Sequence, residues 1–479
     1  TTGAYNTAVG YASQNYTTTN GGNTSLGYQA LYLNNETTAA HNTAVGTFAM
    51  VSNSYGGCNT AVGTCSLCSN TTGGNNVAIG WRALCSNTTA ANNIAVGRQA
   101  LLSNTTGCEN VAVGLCALYS NNCSECSAHY NTAVGNYALR SNTAQSNTAV
   151  GYQSLMDNTT GTINTAVGEN ALSNNTTGSC NNAMGRQALF TNTTGSCNTA
   201  IGNNSLICNE TGVANIAIGN TTLFTATTGS NNIGLGNQAL YYNEHGHYNV
   251  AIGRNALYCN KCDVNVAIGQ SALECQTTGY YNTAIGGYAS RCNTTGAVNV
   301  AVGMNALCKN TTASRNTAVG YAALLNNVDG DENTAIGAEV LYKNTAGLST
   351  AVGSKALICQ TTGGCNTSIG ASAMFKNCDG IKNVAVGALA MCAGSGGDYN
   401  VAVGYQANRL LTTGTNNASL GYSALYANTV GCNNTAVGSS TLYCNITGKE
   451  NTAVGYSALH NNIHGHYNVA VGKNALYTN

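Results

Sequence analysis

The chain has 479 residues, with 16 basic and 16 acidic side chains and no formal net charge. Only 7% of residues are charged and proline is absent, whereas an ordinary soluble protein has about 25% charged residues. Balanced charge gives no indication of the basic surface that nucleic acid requires, and no run approaches the ~18 apolar residues of a membrane-crossing helix.

The first element sets the pattern. Asn6, Thr7, Ala8, Val9 and Gly10 form a pentad that returns at Asn23, Asn42, Asn59, Asn76, Asn93 and Asn110 and continues to Asn468. There are 28 copies; of the 27 intervals, 22 are 17 residues, three are 16, one is 19 and one is 21. The consensus is N-T-A-V-G-Y-x-A-L-Y-x-N-T-T-G-x-x, and positions below are numbered 1–17 along it. Glycine occupies position 5 in every copy, Gly10, Gly80, Gly253 and Gly472 among them, which marks a coil corner needing positive φ or close backbone approach. Position 4 is aliphatic or Met, and position 3 is Ala, Ser or Gly. Side chains alternate along a strand, so positions 2 and 4 share a bulky face and position 3 points to an obligatorily small one. Leu at position 9 (Leu84, Leu101, Leu118) adds a second apolar ladder, and the following Asn-Thr-Thr-Gly is turn chemistry.

A helix does not fit, because the invariant glycine and the Asn/Thr/Gly cluster leave too few residues per period. The expected fold is all-β: a parallel β-solenoid (β-roll) of about 28 coils, 17 residues each, with two short strands and two corners per coil. No coil can bury its apolar face alone, so stacking supplies the core. At ~4.8 Å per coil the stack would form a rod of about 130 Å. Residues 1–479 read as one continuous array, with longer irregular coils near 34–41 and 121–130 as the expected protruding loops.

The pentads Asn76–Gly80, Asn249–Gly253 and Asn468–Gly472 resemble the head repeats of trimeric autotransporter adhesins and related repeats in phage and viral tail fibres. The resemblance implies a left-handed parallel β-roll, three chains associating in parallel, and an adhesive fibre exposed on a cell or virion surface. The 17-residue period and the 22 cysteines depart from that family.

An even number of cysteines suits an oxidising compartment. Cys68 and Cys85 share a repeat position in neighbouring coils, as do Cys180 and Cys197; Cys259, Cys275 and Cys292 form a ladder with Cys308 one position off. Stacked equivalents lie ~4.8 Å apart, inside the Cα window of a disulfide, so coil-to-coil disulfides are expected there. The rival is a metal site at Cys65/Cys68, Cys123/Cys126 (followed by His129) or Cys259/Cys262; none has a second pair at finger spacing, so no metal or other cofactor is expected. His245/His247 and His464/His466 read as duplicated loop residues. N-glycosylation sequons recur at one corner of the coil, at Asn70, Asn87, Asn104, Asn158, Asn175, Asn192, Asn209, Asn293, Asn310 and Asn445. They predict a glycan ladder on one edge, against the alternative that Asn and Thr serve only as turn residues.

Thr1 in place of an initiator Met marks a processed or excerpted chain, and the two ends join in repeat register, which leads to the expectation of a longer array or end-to-end stacking. No catalytic constellation accompanies these repeats, so the chain is expected to be a structural filament subunit and not an enzyme. Its partners would be copies of itself. The competing reading is a binding module: Tyr ladders at positions 6 and 10 (Tyr11, Tyr28, Tyr119, Tyr258, Tyr342) stacking on receptor glycans, or a Thr ladder at position 2 (Thr7, Thr60, Thr132, Thr148, Thr165) binding ice, though Val and Ile interrupt it.

Overall fold

Residues 3–17, 19–34, 38–122 and 128–478 are described by a computed structural model. The chain divides into two compact units, Thr1–His247 and Tyr248–Asn479. The first unit carries fourteen three-residue strands, from β1 (Thr7–Val9) to β14 (Ile233–Leu235); the second carries fourteen, from β15 (Val250–Ile252) to β28 (Val469–Val471). Every strand is positions 2–4 of one repeat. Within each unit successive strands pair in parallel with equivalent positions opposite. On β5 (Val77–Ile79) and β6 (Ile94–Val96), Val77 faces Ile94, Ala78 faces Ala95 and Ile79 faces Val96. Fourteen rungs at ~4.8 Å make each unit about 60 Å along its stacking direction. The segments near 34–41 and 121–130 fall partly outside the described residues, as do Cys123 and Cys126.

β-branched residues at positions 2 and 4 favour the strand, and glycine ends it. Gly80 and Gly253 have φ of 131° and 130°, and a Cβ on either would sit 2.6 Å from the carbonyl oxygen of the next corner glycine, Gly97 or Gly269. Gly10 and Gly472 turn the same way, with φ of 127° and 126°. Position 5 therefore combines both reasons for excluding a side chain.

The expected second strand does not form. Residues after the corner alternate in hand: Arg82 and Leu84 have φ of 53° and 51°, left-handed values that cost an L-residue about 1–2 kcal/mol each. The cost is offset because this twisted segment still bonds from coil to coil. Arg82 N–H donates to Thr64 O (3.0 Å), Leu84 N–H to Ala100 O (2.9 Å) and Ser86 N–H to Leu102 O (3.1 Å), while Ala83 N–H closes a turn onto Gly80 O (3.3 Å). A β-strand assignment needs extended φ on successive residues, and this segment lacks it.

The interior has an apolar and a polar half. Ala78, Ala83 and Leu84 are fully buried and represent positions 3, 8 and 9 in nearly every coil. Small residues at position 3 thus face the inside of the coil, where the Leu ladder fills the space. At Gly234, where position 3 is glycine, a Cβ would sit 2.6 Å from Cγ2 of Thr222, one of three β-branched residues at position 8 together with Val340 and Thr441.

The polar half is a pair of asparagine ladders. At position 1, Asn76 Oδ1 accepts from Asn93 N–H (3.0 Å), and Asn76 Nδ2 donates to Ala90 O (2.9 Å). At position 12, Asn87 Nδ2 donates to Asn70 Oδ1 in the preceding coil (2.8 Å) and to Ala90 O (3.0 Å). One position-15 carbonyl thus accepts from both ladders, and buried amides are satisfied by their stacked equivalents.

Candidate functional site

With Ala inside, the bulky positions 2 and 4 of every strand face outward. Val62 is 36% exposed, Ile79 39% and Leu420 52%. No charged residue occupies either column in any of the 28 repeats. In each unit the result is a strip about 60 Å by 10 Å, or about 600 Å² in projection. Position 4 is aliphatic or Met throughout, whereas position 2 is Thr in 15 of the 28 repeats and Asn at Asn182, so the apolar part runs chiefly along position 4; exposed apolar patches of a few hundred Å² mark interaction surfaces. β-branched side chains hold few rotamers, so the strip is presented with little entropy left to lose on contact.

Tyrosines flank it. Tyr11 and Tyr28 stack at 5.4 Å and Tyr405 on Tyr422 at 5.6 Å at position 6. At position 10, Tyr426, Tyr443, His460 and Tyr477 form a continuous stack with centroid spacings of 4.8, 5.1 and 4.9 Å. Arg409 caps it, donating to Tyr426 Oη at 2.9 Å with its guanidinium 5.6 Å from the ring centre. Ring spacing follows rung spacing, so the faces within the stack cover one another and only edges and hydroxyls remain open. Sugar stacking, which uses the ring face, has no room inside such a column. The few charges also pair from rung to rung at the surface, as in Arg291–Glu274 (2.6 Å) and Arg315–Glu332 (2.7 Å), and contribute little.

The ten sequon asparagines occupy the inner position-12 ladder, not an outer edge. Asn70, Asn87, Asn104, Asn158, Asn175, Asn192, Asn209, Asn293, Asn310 and Asn445 are all 0% exposed. A glycan needs one Nδ2 hydrogen and open space; here Asn175 Nδ2 already donates to Asn158 Oδ1 (2.7 Å) and Gly178 O (2.9 Å). The folded coil has no room for a glycan at these atoms. The near-invariance of Asn at position 1, where only Ser349 departs, is the signal that could have revealed amide ladders.

Among the expected disulfide partners, Cys68 and Cys85 come together, with Sγ atoms 2.9 Å apart. All described cysteines are free thiols, and Cys180 and Cys197 lie exposed. Burial pushes the thiols of Cys259, Cys275 and Cys308 up; Cys292 stands close enough to raise Cys275 and Cys308 further. Among the described residues no group of three or more His, Cys, Asp or Glu is arranged to hold a metal. The duplicated histidines reach into the preceding coil. His247 Nδ1 accepts from Ser230 N–H (3.1 Å) and His466 Nδ1 from Lys449 N–H (2.9 Å), while His245 and His464 Nδ1 meet the hydroxyls of Thr228 (3.0 Å) and Thr447 (2.7 Å).

The chain matches no protein-family model, no curated protein and no solved structure. What fold and surface define is a class: a tandem-repeat parallel β-solenoid with an uncharged outward face made of one aliphatic and one Thr-rich column.

Proposed function

We propose that the chain is a structural subunit of a fibre on a cell or virion surface, or outside the cell, whose copies lie side by side on the strand face. The observation that carries this reading is the pair of uncharged, outward columns at positions 2 and 4. Water contact along the aliphatic position-4 column costs free energy, at about 25 cal/mol per Å² of apolar surface, and the Thr-rich position-2 column beside it carries no charge that a partner would have to desolvate. With its flanking tyrosines the strip in each unit approaches the ~800 Å² per partner of a standard interface. A second copy offers a matching ~4.8 Å period, so equivalent rungs can interdigitate repeatedly. The likeness of the pentads to adhesin head repeats adds the expectation of three parallel chains. A binding role is the second reading, favoured by the open hydroxyl edges of exposed Tyr11, Tyr422 and Tyr456.

The test substitutes three consecutive outward residues, Val134→Lys, Val150→Lys and Val167→Lys, each 36–37% exposed. Light scattering after size exclusion should give an oligomer for the native chain and 48.7 kDa for the variant, with unchanged circular dichroism. A native chain that stays monomeric at about 10 µM, where a Kd of ~1 µM would be largely satisfied, sinks lateral association.

A further inference from the structure

Cys68 and Cys85 occupy position 10 of two consecutive coils, with Val51 and Leu102 in the same column on either side. Their sulfurs are 2.9 Å apart, and Cys68 Sγ also lies 3.4 Å from Cys85 O, a second acceptor for its one hydrogen. The pair is asymmetric. Cys85 is 8% exposed, and its thiol is pulled down to about 6 by the hydrogen bond from Cys68 and, beyond that, by a hydrogen bond and the positive charge from Arg82, against a contrary push from burial. Cys68 is pushed up, first by the hydrogen bond to Cys85, then by burial and by the charge of Cys85, with Cys65 adding slightly and Ser69 opposing. Arg82 is itself held against Trp81, its guanidinium 5.5 Å from the ring centre, and Arg98 lies 5.1 Å from the same ring. No neighbouring carboxylate acts on either thiol. By contrast the thiols of buried Cys116 and half-buried Cys208 and Cys392 are pushed up, chiefly by desolvation.

We propose that Cys85 and Cys68 form a peroxide-reactive thiol pair, with Cys85 the attacking sulfur and Cys68 the resolving one, closing a reversible disulfide between two rungs. The thiolate is the nucleophile in such chemistry, and a vicinal thiol converts the first product onward. In the first step the Cys85 thiolate attacks one oxygen of hydrogen peroxide. An S–O bond forms, the O–O bond breaks, and the departing hydroxide takes up a proton as water. Cys85 is then a sulfenic acid. In the second step Cys68 loses its proton and its sulfur attacks the Cys85 sulfur; the S–S bond forms, the S–O bond breaks, and hydroxide leaves with that proton as a second water. Two thiols are oxidised by two electrons in total and one peroxide is reduced. Rung spacing of ~4.8 Å lies within the Cα range of a disulfide, so closure needs no rearrangement of the stack. At 8% exposure the Cys85 residue is more accessible to a small peroxide than to a bulky aromatic disulfide.

The reduced full chain is treated with equimolar hydrogen peroxide, quenched with iodoacetamide and mapped by mass spectrometry over time. The expected result is a Cys68–Cys85 disulfide forming at least tenfold faster than oxidation at the exposed Cys180 or Cys197. In Cys68→Ser, dimedone should capture sulfenic acid on Cys85; in Cys85→Ser, Cys68 should stay reduced over the same interval. Arg82→Gln, which leaves both sulfurs in place, should slow the reaction and move its pH midpoint upward. Equal rates at all four cysteines, or Cys68 oxidising unchanged in Cys85→Ser, would overturn the proposal. So would an Arg82→Gln pH profile that coincides with the native one.

Discussion

The asparagine ladder makes a prediction that can be worked atom by atom at Asn175. Its side chain makes three hydrogen bonds at 0% exposure: Nδ2 to Asn158 Oδ1 (2.7 Å), Nδ2 to Gly178 O (2.9 Å), and Oδ1 from Asn192 Nδ2 (2.8 Å). Asn175→Ala removes all three. Gly178 O keeps a donor in Asn164 Nδ2 (2.9 Å), and Asn192 Nδ2 keeps Gly195 O (2.9 Å). Two groups are left short: Asn158 Oδ1 and one hydrogen of Asn192 Nδ2. A buried group stranded in this way costs about 1–3 kcal/mol, so the expected loss is about 2–6 kcal/mol. Because each coil of a solenoid contacts only its neighbours, the loss should be local. Hydrogen exchange of peptides spanning 170–195 should speed up about 30-fold or more, since each 1.4 kcal/mol is tenfold. Thr177→Ala, at an exposed position of the same coil, should change exchange little. Asn175→Asp adds a sign test. Its carboxylate would face Asn158 Oδ1 and Gly178 O, both acceptors, so the folded state favours the protonated form and raises the folded pKa above the unfolded value of about 3.9. Stability of this variant relative to the native chain should therefore be best below pH ~4 and fall as pH rises through the raised folded pKa. Exchange in Asn175→Ala no faster than in Thr177→Ala would refute the ladder as a source of stability.

Two further substitutions test the interior. Gly80→Ala places a Cβ 2.6 Å from Gly97 O at a φ of 131°, and should cost about 3 kcal/mol or more in chemical denaturation; a loss within error of zero would mean the corner relaxes freely. Asn408 stands at position 9, where most coils have Leu, while Leu411 stands at position 12, where most have Asn. Neither the oxygen nor the nitrogen of the buried Asn408 amide has a hydrogen-bond partner, so Asn408→Leu should stabilise the second unit by about 1–3 kcal/mol. A lower denaturation midpoint for that variant would contradict the reasoning.

The 17-residue period, the corner at position 5 and the stacking of equivalent residues were legible in the chain itself. They follow from rules that act within one coil: glycine where no Cβ fits, β-branched residues where the chain extends, and too little apolar surface per repeat to stand alone. The contact of Cys68 with Cys85 was legible for the same reason, since stacked equivalents must be close. Which side of the strand faces inward was not legible, because alternation separates Ala78 from Val77 and Ile79 without saying which is enclosed. Only the closed coil decided that: the Leu84 ladder fills the interior and leaves room for a methyl group opposite. The left-handed φ values at Arg82 and Leu84 were hidden for a related reason, as their cost is offset by bonds to other coils and leaves no glycine as a mark. Sequons such as Asn175 carry the same letters inside or outside a fold, and the stacked amides alone show them buried. The sequence determined that the chain repeats and stacks; the tertiary structure decided what the stack conceals and what it presents, because enclosure is a property of neighbouring coils and not of any single repeat.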